Sequence, residues 1–490
     1  MNVDVCLFPT TSHKRIANSP ACDVGQLTIE TLPDDALLYV FDFYLAQTSE
    51  VEAWHTLVHV CRRWRILVFG SPRRLNLRIK CTNETPEIKE KLDVWPALPI
   101  VIYGTAFKPE NLKAAFEHHN RICQIKLYLN EIYIASLEEP FPILTDLDLD
   151  LGSFELFRSF EIFHRSFDPD LSKFFGGPGS AHLLRSLTLR EIRIPDLLKL
   201  LQVLATPNLV LLRLERILES FLPDEVITVL SSLTRLETLD LCIGLHQSHP
   251  DGENQRLPLL GRTVLPSLTT LKVTGDIEGL EDFMARIDTP VLDHLDILLP
   301  SFAFDRIKVL DTPQLFRFIN HTPKLQTPVG AYIRFSANNI CIFFLHSTRI
   351  SRRVTRLKIS CVESKQEIPC VAQFYRSLPL LLHPLEYLYI CMYRQSPQNL
   401  TEYTRWLELL QPFTAVKNLY LTEEFAPHIA HSLQELVGER VMEVLPSLEN
   451  VFIEEFEPSG PVYEIIKAFV VARQLAGRPL TISCWDSSTP

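Results

Sequence analysis

One short pattern returns eleven times along this chain: an apolar residue, two variable ones, an apolar residue, one variable, and a final apolar residue. The copies begin at Ile122 (ICQIKL), Leu144 (LTDLDL), Leu184 (LRSLTL), Leu209 (LVLLRL), Leu236 (LETLDL), Leu268 (LTTLKV), Leu292 (LDHLDI), Val354 (VTRLKI), Leu385 (LEYLYI), Val416 (VKNLYL) and Leu448 (LENVFI). One residue separates the last two apolar positions, the period that puts both side chains on one face of a strand. Pro207, Pro266, Pro290, Pro384 and Pro446 stand just ahead of five copies and fix a turn there. Helical patterns fill the intervals: Asp196 to Ala205, Asp224 to Leu233, Leu280 to Ile287, Leu400 to Leu410 and His428 to Val444. A strand–loop–helix unit this small leaves an apolar edge that only the next unit covers, so the units must stack. The expected fold is α/β, with parallel strands inside, helices outside and a column of leucines between them.

This repeat resembles that of the leucine-rich-repeat superfamily. Starts from Leu184 to Leu292 lie 24 to 32 residues apart, against about 20 to 29 in that family. Eight residues after the first leucine, where the family keeps Asn or Cys, this chain has Gly152, Ile192, Ile217, Gly244 and Asp276. The resemblance therefore implies an irregular solenoid without an internal asparagine ladder. The longer gaps before Leu184 and Val354 hold an insertion and one degenerate repeat near Leu325. The first contains a Phe-rich stretch, Phe154 to Phe175, followed by GGPG, read as a covering loop.

Ahead of the repeats the pattern changes to a helical one. Residues 1–26 show no periodicity and read as a flexible leader, after which TLPDDALLYVFDFYL places Leu37, Val40, Phe41, Tyr44 and Leu45 at helical spacing. Pro33 suits a first helical turn, and Asp34 and Asp35 lie where the helix dipole favours negative charge. A second helix carries Trp54, Leu57, Val58, Cys61, Arg65 and Val68 on one stripe. Arg62, Arg63 and Arg65 read as a solvated face. The ordered set Leu32-Pro33, Leu37, Val40-Phe41, Leu45, Val60-Cys61-Arg62-Arg63-Trp64 and Leu67 resembles the F-box family over about residues 27–75. That resemblance implies that Leu32, Pro33, Leu37, Val40, Phe41, Leu45, Val60, Cys61 and Trp64 dock on a Skp-type adaptor, and through it on a cullin-RING ligase. The domain reading is a leader over 1–26, an F-box over 27–75, a solenoid over 76–480 and a tail over 481–490.

Composition narrows the function. Charged residues make up 22% and the net charge is −11, which disfavours nucleic acid as a partner. No signal peptide is visible, and the longest apolar candidate, Ile340 to Leu345, is far too short to cross a bilayer. The expectation is a protein of the cytoplasm, the nucleus or both, with no membrane partner. Eleven cysteines without a Cys-x-x-Cys pair read as reduced core thiols, not a zinc site. No phosphate-loop string, metal-ligand spacing or nucleophile constellation stands out, so neither catalysis nor a cofactor is expected. Asp146, Asp148 and Asp150 alternate along one strand and read as a solvated or basic-client-binding face.

An F-box joined to a repeat array implies a non-enzymatic adaptor that brings an unknown client protein to a ubiquitin ligase. The alternative is a leucine-rich-repeat scaffold with no ubiquitin role. The variable position between the last two apolar residues of each copy reads Lys126, Asp148, Thr188, Arg213, Asp240, Lys272, Asp296, Lys358, Tyr389, Tyr420, Phe452. Three consecutive aromatics, with Tyr387 beside them, mark the client site. In the competing account the helix from Val462 to Leu475 folds over these rings as a cap. Both stay open at this point.

Overall fold

Every copy of the pattern forms a strand in the computed structural model of the chain. The structure describes residues 29–47, 53–70, 76–81, 88, 92, 98–105, 109–128, 137, 139–150, 181–191, 201, 206–215, 223–243, 262–299, 312–325, 328–336, 339–345, 354–360, 372, 375–376, 382–392, 403–436, 438–458 and 460–485. The leader, the Phe-rich stretch and nearly all of the helical pattern at 196–205 lie outside them. The chain divides into two compact units, Met1–Leu77 and Arg78–Pro490.

The first unit holds helices α1 (Asp34–Gln47), α2 (Ala53–Val60) and α3 (Arg62–Gly70). The single second helix expected from the apolar stripe is thus two helices, broken at Cys61. The break is stabilised locally, because the Trp64 amide donates to Cys61 Sγ at 3.5 Å and covers a donor that the new helix leaves without an intrahelical partner.

Strands β1 (Leu77–Cys81), β2 (Ile100–Thr105), β3 (Ile122–Tyr128), β4 (Asp146–Asp150), β5 (Ser186–Arg190) and β6 (Leu211–Glu215) begin a sheet. It continues through β7 (Thr238–Ile243), β9 (Thr270–Gly275) and β11 (His294–Leu299), while β8 (Thr263–Val264) and β10 (Ile287–Asp288) pair separately. Strands β12 (Gly330–Ser336), β13 (Asn339–Leu345), β14 (Val354–Ser360), β15 (Tyr387–Met392), β16 (Asn418–Leu421), β17 (Asn450–Glu454) and β18 (Thr481–Trp485) complete it. Leu147, Leu149, Leu212, Leu214, Leu419 and Leu421 are at most 2% exposed, and the residues between them are half-buried on the other face. Full burial of one such side chain contributes about 1.5 to 3 kcal/mol. The leucine column is therefore the dominant stabilising element.

Turns ahead of the strands explain the prolines. Leu209, Leu268, Leu292 and Leu448 donate to the carbonyls of Thr206, Leu265, Thr289 and Leu445, which closes a turn whose second residue is proline and needs no donor. Amides just past each turn then bond the preceding repeat: Val210 and Leu211 to the Arg185 carbonyl, Glu237 and Thr238 to that of Val210. Each unit is thereby registered on its neighbour before the strand starts.

The simple order of stacked copies fails once. The sheet runs β11, β14, β13, β12, β15, with β13 antiparallel to both of its neighbours. The degenerate repeat expected near Leu325 is there, with buried Leu325 closing its turn on the Thr322 carbonyl and β12 parallel to β15, while β13, antiparallel to β12 and β14, is an added strand that simple stacking does not supply. Residues 481–485, read from sequence as tail, pair with β17 as β18. Helix α4 (Pro109–Phe116) lies between β2 and β3, helices α5 (Pro223–Ser231), α6 (Ile277–Arg286) and α7 (Pro313–His321) pack in succession, and so do α8 (Tyr403–Leu410), α9 (Ala426–Gln434) and α10 (Pro461–Leu475). Their ends are tied by side chains from neighbouring units. Asp276 caps α6 by accepting from Gly279, and the Glu281 carboxylate of α6 accepts from the Gln314 and Leu315 amides that open α7. Arg473 of α10, fully buried, donates to the Pro446 and Leu448 carbonyls of the turn into β17.

Leu239, 0% exposed on β7, gives the direct test of this register. Leu239→Asp places a carboxylate among leucines and should cost several kcal/mol, or be borne as a protonated acid. The thermal unfolding transition should fall steeply; an unchanged transition would place Leu239 on the wrong face.

Candidate functional site

Two surfaces carry features that the fold alone does not require. In the first unit, Leu37 and Phe41 are buried, and the Phe41 ring packs on Trp64 with centroids 4.7 Å apart. These three residues, expected to contact a partner, instead help hold the helices together. Leu45 lies on α1. Pro33 and Cys61 are exposed, Leu32 is half-buried, and Val40 and Val60 are open to solvent. Sequence reasoning missed the larger apolar side chains beside them. Tyr39 is 69% exposed, Phe43 65% and Ile66 61%, with Phe69 also exposed. Val40 and Phe43 stand one turn apart on α1, Ile66 and Phe69 one turn apart on α3, so each helix shows an apolar stripe to solvent. Arg63 was read as solvated, yet its guanidinium donates to the Leu32 carbonyl at 2.5 Å and to Asp34 Oδ1 at 2.6 Å. It clamps the Leu-Pro opening to α3. Arg65 likewise donates to the Val58 carbonyl.

The second surface is the sheet face opposite the leucines. Its central row runs in register through Lys126, Asp148, Thr188, Arg213, Asp240, Lys272 and Asp296. The next position is Arg356, not Lys358, because Asp296 pairs with Arg356 when β14 begins at the first residue of its copy. Charges in this half are matched within the chain. Arg190 bonds Asp148 at 2.6 Å and Glu215 at 3.1 Å, Lys272 bonds Asp240 at 2.7 Å, and Gln124 donates to Asp146 at 3.0 Å. Asp146 and Asp148 are thus engaged internally, and the acidic stripe is not a bare binding face.

Beyond β14 the row becomes aromatic. Phe343, Tyr332, Tyr389, Tyr420 and Phe452 follow one another in register. Tyr332 stacks on Tyr389 at 5.6 Å, Tyr389 on Tyr420 at 4.3 Å and Tyr420 on Phe452 at 4.6 Å, with interplanar angles of 21°, 14° and 11°. Phe343 meets Tyr332 edge to face, and the Arg334 guanidinium lies 5.1 Å from the Tyr332 ring centroid. Trp485 of β18 adds a sixth ring, 5.4 Å from Tyr420 and 6.1 Å from Tyr389. Helix α10 packs on α9. Tyr387 begins a polar row beside the rings with Asn418, Asn450 and Thr481, in which Asn450 donates to Asn418 and Thr481 to Asn450.

Stacking decides what this surface offers. Inner rings spend their faces on one another and present edges, which carry the positive end of the ring quadrupole, together with phenol hydroxyls. A ligand that needs a free ring face has little to grip here. Carbonyl oxygens, and aromatic faces laid across the edges, fit well. Burial pushes the Tyr332 phenol up to about 12 and raises those of Tyr389 and Tyr420, so all three stay neutral donors near pH 7. Among the described residues no cluster of His, Cys, Asp or Glu suits a metal, all seven described cysteines are free thiols, and no described helix is long and apolar enough to cross a membrane.

No family model matches this sequence, and no curated protein matches it. Among solved structures, one match is the leucine-rich repeat-containing protein LegL7 from Legionella pneumophila, at 10% identity and a TM-score of 0.27, over 83% of this chain and 99% of that one. The repeat architecture rests on the chain's own strands and turns.

The raised phenols set a pH signature. Their folded-state values lie above the ordinary 10, so the stabilisation of the neutral stack is complete below about pH 10 and is lost as pH climbs through the folded values. Alkaline unfolding curves should therefore drop between about pH 10 and 12, with Tyr389→Phe plus Tyr420→Phe flattening that drop. A phenolate absorbance titration in which every tyrosine ionises near 10 would contradict the stack.

Proposed function

We propose that this protein is a substrate-recognition adaptor of an SCF-type (Skp, cullin, F-box) E3 ubiquitin ligase. The helical unit binds the Skp-type subunit, and through it the cullin-RING ligase, while the aromatic face of the repeat array binds the client protein. The protein itself does no chemistry. The observation that carries the reading is the set of solvent-exposed apolar residues on the helical unit, Tyr39, Val40, Phe43, Val60, Ile66 and Phe69, next to a Leu-Pro opening clamped by Arg63. A small unit that shows this much apolar surface is best explained by a partner helix surface. Resemblance of the same segment to the F-box pattern names that partner. Client recognition through Tyr387, Tyr389, Tyr420 and Phe452 is supported by their place on the open face, where aromatic side chains dominate interface energetics.

Leu32→Ala with Pro33→Ala should abolish capture of a purified Skp-type subunit in a pulldown, a loss of at least about tenfold in affinity for a hot spot of this kind, while the thermal transition of the array stays put. Phe43→Asp, on an exposed position, should do the same without touching the clamp. Undiminished capture by both variants would remove the ligase role and leave the interaction scaffold.

The client half has its own test. Alanine at Tyr389, Tyr420 and Phe452 together should release co-purifying client from the full chain, keep adaptor capture, and lower stability only by the stacking contribution, about 0.5 to 1.5 kcal/mol per ring pair. Retained client, or collapse of the array, would show that the rings are structural.

A further inference from the structure

Among the described residues, the unit of α10 and β18 stands at one end of the sheet, with apolar side chains exposed on its helix. On the sheet side, no strand among the described residues pairs the outer edge of β18. Thr481 donates to the Glu449 carbonyl within the parallel pairing with β17, so Thr481, Ser483 and Trp485 bond inward. Residues alternate in a parallel ladder, which leaves the amides and carbonyls of Ile482 and Cys484 directed outward. Natural edges are blunted by lysine, proline, a bulge or a cover. The strand TISCW has no charge and no proline, and its Thr481 and Cys484 are exposed. On the helix side, Val471 is 48% and Leu475 85% exposed, one turn apart on α10. Repeat arrays need a polar outer face on their terminal unit. Among the described residues, this one shows an edge that no strand pairs and an apolar helix stripe instead.

We infer that this end is the dimer interface of the protein, with a second copy pairing β18 antiparallel to β18 about a two-fold axis at Ser483. Register and chemistry favour a second copy. Antiparallel pairing about Ser483 sets Ile482 against Cys484 of the other copy as a reciprocal hydrogen-bonded pair, using the outward groups of both. It sets Ser483 against Ser483 and Trp485 against Thr481 at the closely spaced, non-hydrogen-bonded positions, where an aromatic ring packs well on a β-branched side chain. Charge agrees with the same operator. Exposed Arg478 precedes β18, while Glu454, the register partner of Trp485, and exposed Glu455 lie at its far end. A two-fold brings the basic end of each strand toward the acidic end of the other, a match repeated twice because the interface is isologous. The same axis is proposed to set the Val471 and Leu475 stripe of each copy toward that of the other. The two aromatic ladders then lie on one continuous sheet.

Light scattering on the full chain, loaded from low to tens of micromolar, should show its mass rising from 56.3 kDa to twice that value. Ile482→Pro removes an outward donor and a half-buried side chain but leaves the inward hydrogen bonds of Thr481 and Ser483, and Leu475→Glu charges an exposed helix position, so both should fold and both should weaken self-association at least tenfold. Ile482→Cys supplies the register test, because oxidation should link it to Cys484 of the second copy and give a covalent dimer. A monomer throughout the range overturns the proposal. So does a dimer insensitive to both substitutions, or an Ile482→Cys chain that fails to cross-link. None of these outcomes bears on capture of the Skp-type subunit by the helical unit.

Discussion

Everything in the array depends on leucine burial across unit boundaries. No repeat closes a core by itself; Leu187, Leu212, Leu239 and Leu271 reach 0 or 1% exposure only because each is enclosed by the unit before and the unit after. This constraint sets the turns, since a strand must enter in register for its two leucines to meet the column. It also frees the opposite face. Residues between the leucines contribute little to that core, so their identity can serve other ends.

The open face uses that freedom in two ways. From β3 to β9 it carries alternating charges that neutralise one another, and half-buried pairs such as Arg190 with Asp148 and Glu215 leave little unpaired charge for a partner. Pairs of this sort give modest net stability, yet they keep a wide polar surface ordered. From β13 to β17 the same positions carry stacked rings. The antiparallel β13 stands at the changeover, and the hairpin it belongs to lengthens the ladder by Phe343 and Tyr332. A departure from simple stacking thus adds to the surface proposed for recognition.

Strands with the full apolar pattern were legible because their burial demands that pattern. β1, β2, β13 and β18 lack it and were missed, and β12 was anticipated only as a degenerate repeat near Leu325; the residues of β18 read as a tail because one alternating run of five has no helical or leucine context. Order within the sheet at β11 to β15 was not legible, since nothing local distinguishes a neighbour from a strand three places away. The aromatic column could be read as three rings from alternation alone. Its extension to Phe343, Tyr332 and Trp485, and the stacking that turns ring faces inward, depend on register between distant segments. On the helical unit, Leu37 and Phe41 fit a docking pattern and also a core pattern, and helical spacing does not separate the two. Arg63, Glu281 and Arg473 bond to groups 25 to 34 residues away, so local sequence is silent about them.

In the proposed reading, attachment and recognition fall on different units, one of helices with exposed apolar side chains and one of stacked repeats with exposed ring edges. Amide hydrogen exchange on the full chain, alone and with a purified Skp-type subunit, tests that division most directly. The account predicts slowed exchange within α1, α2 and α3 and unchanged exchange in β15, β16 and β17. Protection of those strands by the Skp-type subunit, or none in the helices, would contradict it.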